Sequence, residues 1–160
     1  MFSVAITPPD ALAGLTIRQD LGSGRYALTG FGQRCILREW TWGERRRLLA
    51  ACVSHGQLDR TRFVDALLGL LTEPTPTGPA REIYASGVLW LLGITPERAL
   101  PQCTAAEVAL AERFGWGPTA LERESAVTLD RWLVQAALSV KPSAATRHES
   151  GWNQIAVHDD

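Results

Sequence analysis

Three prolines fall within seven residues in Glu73-Pro-Thr-Pro-Thr-Gly-Pro79. Proline fixes φ, lacks an amide proton and disfavours helix at the residue before it. No helix or interior strand passes through such a segment, so the chain must build its regular elements on either side. The segment therefore predicts a boundary, with 1–73 on one side and 80–140 on the other, while the polar residues 141–160 are expected to form a flexible tail. The whole is read as one compact unit. A chain of 160 residues is the right size for one such core.

Before the boundary the pattern alternates. Residues 1–14, with Pro8 and Pro9, read as an irregular arm. Leu15, Ile17, Gln19 and Leu21 suit an edge strand, and Gly22-Ser-Gly24 a turn. Tyr26 and Leu28 begin a second strand, Gly30-Phe-Gly32-Gln33 a second turn, and Arg34 to Trp40 a third strand. After Trp40 the period changes. Thr41-Trp-Gly-Glu44 has the T-x-x-E form of a capping box, and Leu48, Leu49, Cys52 and Val53 follow at helical spacing. Glycine at His55-Gly56 is expected to end that helix, and Asp59 to cap a second with Phe63, Ala66, Leu67 and Leu70 on one face. Beyond the prolines a helix is expected from Arg81 to Leu92, stopped by Gly93. Thr95-Pro96 then starts a short turn. Thr104-Ala-Ala-Glu107 reads as a second box opening a helix that Gly115 closes, and a last helix runs from Thr128 until Pro142. The expectation is an α+β fold: a short N-terminal antiparallel β-meander followed by about five helices.

Arg45-Arg-Arg47 invites a nucleic-acid reading, but charge argues against it. Sixteen basic residues face 17 acidic ones, for a net charge of −1, and that balance lacks the field that non-specific nucleic-acid binding needs. It equally lacks a basic tract for an anionic membrane. Three consecutive helical residues span about 200° of circumference, so these arginines make no flat patch. The N-terminus has neither the basic stretch nor the apolar run of a signal peptide, and Gly87 to Ile94 is too short to span a bilayer. The three cysteines, without a CxxC pair, suggest reduced thiols in a cytoplasmic setting.

Catalytic signals are sparse. His55 sits at an expected helix end, while His148 and His158 lie in the expected tail. There is no HExxH, and Gly30-Phe-Gly32 lacks the lysine and following helix of a phosphate loop. No catalytic residue, cofactor or metal is assigned. A small enzyme with a site assembled from distant residues stays open as an alternative. The sharpest binding hypothesis is an exposed Trp42 beside Trp40, Arg38, Arg45 and Arg46, because tryptophan and arginine anchor protein interfaces. The expected partner is another protein or peptide in a hetero-complex.

Two segments, GQRCILREWTWGERRRLL and LAERFGWGPTALERESAVTLDRW, resemble small assembly proteins of contractile phage tails and tail-like injection machines, the second resembling the C-terminal part of their tail assembly chaperones. The resemblance implies a non-catalytic adaptor that binds a tail or baseplate component. The N-terminal half is also similar in outline to the winged, peptide-binding recognition domains of ribosomal-peptide biosynthesis. That second resemblance implies a partner subunit of a modifying enzyme, with Arg18, Tyr26 and Arg34–Trp40 near a precursor peptide. Trp40-Thr-Trp42 stands where those domains carry leucine-asparagine.

Overall fold

The computed structural model describes residues 2–138. Strands β1 (Ser3–Ile6), β2 (Thr16–Asp20), β3 (Tyr26–Gly30) and β4 (Gln33–Leu37) form an antiparallel sheet, which the two-residue β7 (Thr72–Glu73) completes in the order β1-β2-β3-β4-β7. The expected arm is thus partly a strand, and the expected edge strand is interior. Ser3 to Ile6 pair with Asp20 to Ile17, so the register is set by β2 rather than by any pattern within residues 1–14.

Alternation sorts the sheet cleanly. Ile17, Tyr26, Leu28, Cys35 and Leu37 point to one face and are buried, whereas Thr16, Arg18, Thr29 and Arg34 point to the other and are exposed. The β3–β4 connection is a two-residue turn with positive φ at both Phe31 (52°) and Gly32 (73°), the geometry that matches the twist of a hairpin. Trp40 lies beyond the end of β4 and is buried in its own right.

The helices cover the buried face. Helix α1 (Trp42–Ala51) begins with the expected capping box: Thr41 Oγ1 accepts from the Glu44 amide at 3.2 Å, and Glu44 Oε2 accepts from the Thr41 amide at 3.0 Å. It stops at Cys52, before the expected cap. His55 (φ 51°) and Gly56 (φ 76°) instead form the tip of a small hairpin, β5 (Val53–Ser54) and β6 (Gln57–Leu58). Asp59 caps α2 (Arg60–Leu71) by accepting from the Arg62 amide.

The proline segment then runs along the open side of β4. There the Gln33 side chain imitates a strand, donating to the Thr77 carbonyl at 2.8 Å and accepting from the Thr77 amide at 3.0 Å. Helix α3 (Arg81–Leu92) ends at Gly93 (φ 67°), as its sequence implies. Its Tyr84 hydroxyl meets the Gly30 and Gln33 carbonyls at 2.9 and 2.8 Å, tying the helix to the β3–β4 hairpin.

Two expectations fail beyond Gly93. Helix α4 (Pro96–Phe114) is continuous, so Thr104 and Glu107 are interior to it and make no capping box. After the short α5 (Pro118–Leu121), α6 (Ala126–Leu138) begins before Thr128, with Ser125 Oγ accepting from the Thr128 amide. The expected tail and the stop at Pro142 lie outside the described residues. One apolar cluster reaches from Leu15 on the sheet through Phe63 and Tyr84 to Leu110, Leu121 and Leu129, on both sides of the proline segment. Among the described residues, no helix is long and apolar enough to cross a membrane.

Candidate functional site

The stretch from Arg38 to Arg47 is where the two ends of the described chain lock together. Residues 122–126 pass antiparallel to 40–43. The Trp42 amide donates to the Glu124 carbonyl (2.8 Å), the Gly43 amide to the Glu122 carbonyl (3.1 Å) and the Ala126 amide to the Trp40 carbonyl (3.1 Å). The first turn of a helix leaves amides without helical partners, and here backbone from about eighty residues away satisfies two of them. Gly43 permits that approach, since a Cβ at this position would sit 2.9 Å from the Glu122 carbonyl oxygen and closer still to its carboxylate.

Side chains extend the lock. The indole N–H of Trp42 donates to Glu107 Oε1 of α4 at 2.9 Å. The Arg45 guanidinium lies 4.2 Å over the Trp42 ring and holds both Asp130 oxygens of α6, at 2.8 and 3.0 Å. Arg46 and Arg47 both reach Glu122. Arg38 forks onto the two Glu44 oxygens at 3.0 and 2.9 Å. That fork, with the Thr41 amide also donating, pulls the Glu44 carboxyl below its ordinary range and lifts the Arg38 guanidinium above its own. Arg45 thus turns to α6, while Arg46 and Arg47 share Glu122 in the turn between α5 and α6.

This corrects the expected binding surface. Trp42 is fully buried and Trp40 1% exposed, so neither is a surface anchor. Arg45 is buried beneath α6, while Arg38 and Arg46 are half-buried and spent on Glu44 and Glu122. The physical reason is one of sequence distance: the first turn of a helix looks solvent-facing until residues 107 and 122–130 are laid over it.

The exposed aromatics lie elsewhere. Helix α4 stops at Gly115 (φ 67°), and the reversal brings Trp116 onto Phe114, with ring centroids 5.0 Å apart and planes 28° from parallel. Trp132 of α6 stands 5.8 Å from Trp116. Phe114 and Trp132 remain 42% and 41% exposed. Three aromatic rings thus share one corner of the molecule, all within 110–132. The signal is present in Phe114-Gly-Trp116, whereas the spacing Leu129, Trp132, Leu133 by itself suggests that all three share the inner stripe of α6. Leu129 and Leu133 take that stripe, and Trp132, one residue or 100° away, falls at its margin.

A second open feature is the outer edge of β1. Its strand SVAI carries no charge, and Phe2, Val4 and Leu21 beside it are 83%, 49% and 58% exposed. Natural edge strands are usually blunted by charges, bulges or proline.

As for chemistry, His55 is exposed at its hairpin tip with no side-chain hydrogen bond to any described residue. Cys35, Cys52 and Cys103 are buried, and burial pushes the Cys35 thiol up to about 11. No group of three potential metal ligands occurs among the described residues. No family model matches the chain, and no curated protein or solved structure matches it.

Proposed function

We propose that this protein is a non-catalytic adaptor that binds another protein during assembly of a phage-tail-like particle. The observation that carries the reading is the Phe114–Trp116–Trp132 corner. Its rings lie in the segment resembling tail assembly chaperones, and two of the three, Phe114 and Trp132, are 42% and 41% exposed side by side. Large aromatics offer contact area at small entropic cost and are frequent interface anchors. Phe114→Ala with Trp132→Ser removes both ring contacts to Trp116 and should cost about 1–3 kcal/mol, so a thermal melt first shows that the double variant is folded at the capture temperature. Affinity capture of the tagged chain from its own host should recover a tail, sheath or baseplate protein, and the double variant should not recover it.

The unprotected β1 edge favours a second reading, recognition of a precursor peptide by strand addition. Capture of a metalloenzyme with a short precursor peptide would replace the assembly reading with that one.

A further inference from the structure

We propose that the open face of the sheet is a second docking surface, for an acidic segment of a partner protein carrying one large apolar side chain. The inference rests on the adaptor reading and names the chemistry of what is bound.

The sheet has helices on one face only. On the other, the register lays Arg18, Ala27, Ile36 and Glu73 in one row across β2, β3, β4 and β7. Thr16, Thr29 and Arg34 make the next row. Arg25 precedes the inward Tyr26 and so projects outward, opposite Arg38. Same-face neighbours stand about 7 Å apart along a strand and about 5 Å apart across strands. Arg18, Arg25 and Arg34 therefore surround a small apolar centre of Ala27 and Ile36. Among the described residues none of the three has a carboxylate partner, as is also true of Arg62, Arg98, Arg123 and Arg131 elsewhere; Arg18 donates to the Ser3 hydroxyl at 2.9 Å. The acids on this face do not offset them. Asp20 accepts from the Gly22 amide and the Ser23 hydroxyl, and Glu73 lies on the β7 side, opposite Ile36, on a cavity wall with two strands between it and Arg18. In a chain of net charge −1, this is a marked segregation of positive charge.

The same face has a place for an anchor. A cavity of about 500 Å³ opens where β4 meets the end of α2. Arg25 and Arg38 line its rim, with Ile36, Leu70 and Leu71 as apolar walls. Leu70 is 38% exposed there. A carboxylate that met Arg25 would place a neighbouring leucine or aromatic side chain in the cavity. A second copy meeting this face with its own is not the occupant, because it would set arginine against arginine. Nucleic acid fits less well, because sheet surfaces that read single strands stack bases on aromatic rings. Tyr26, the aromatic of these strands, points into the core.

Fluorescence anisotropy tests this on the full chain. The probes are a labelled peptide of alternating glutamate and leucine, its glutamate-serine counterpart, and oligouridine RNA. The glutamate-leucine peptide should bind saturably and more tightly than either of the others. Its binding should weaken on raising salt. Arg25→Glu with Arg34→Glu should reduce affinity about tenfold or more, while Arg98→Glu, on the helical side, should not. Thermal melts of both variants should match the parent, since these side chains are exposed. Absence of peptide binding, equal binding by the Arg25/Arg34 variant, or tighter RNA binding would overturn the proposal. Failure here is separable from failure of the adaptor reading. A chain that captures a tail component through its aromatic corner yet ignores the peptide sinks only the sheet-face inference.

Discussion

Gly43 is a residue whose identity is dictated by another one far along the chain. Its neighbours in sequence require only a helix former, yet the Glu122 carbonyl occupies the space where a Cβ would go. Gly43→Ala should therefore destabilise the fold by about 1–3 kcal/mol, as overpacking does, despite alanine's better helix propensity. Chemical denaturation reads this directly, and a neutral or stabilising result would show that residues 122–124 do not lie over α1. Glu44 makes a different prediction. Its carboxyl titrates below its ordinary 4.5 because the Arg38 fork, the Thr41 amide and nearby positive charge favour the anion. A group depressed in the folded state stabilises fully above its unfolded pKa and ceases to do so as pH falls through the folded value. Stability should thus decline in acid below pH 4.5, and Glu44→Gln should flatten part of that slope while lowering stability at neutral pH. An acid limb unchanged in the variant would count against the Arg38–Glu44 fork.

At the scale of elements, local chemistry was legible and long-range covering was not. The box at Thr41 and Glu44, the cap at Asp59 and the glycine stops at Gly93 and Gly115 all stand where the residues imply. Each depends on side chains within a few positions of one another. The identical T-x-x-E spelling at Thr104 fails because α4 is already running when it arrives. Its buried Ala99, Cys103 and Leu110 hold one continuous helix to the core, although Pro101 removes one of its backbone hydrogen bonds. β1 is illegible locally for a related reason, since four residues carry little pattern and only the partner strand gives them a register. The candidate site was the least legible. Trp42 attracted attention by composition, but its burial depends on Glu107, Glu122 and Asp130, whose placement no local pattern encodes.

For the whole molecule, the described chain closes on itself: the sheet and α1 come early, and α4 to α6 return to cover the start of α1. The three cysteines report on that closure. Cys35 lies under the sheet, Cys52 at the end of α1 and Cys103 in α4 beside Arg45, all buried, with burial raising each thiol. Iodoacetamide at neutral pH should label none of them in the native protein and all three in denaturant. Fast labelling of Cys103 alone would mean that α4 leaves α1 readily. With that closure, the aromatic corner is left outward while Trp40 and Trp42 are not. Hydrogen–deuterium exchange of the protein alone and with its captured partner tests this most directly. The account predicts new protection around 110–121 and 126–135, with amides 40–47 already slow in the free chain and unchanged by binding. New protection at 40–47, with none at the corner, would contradict it.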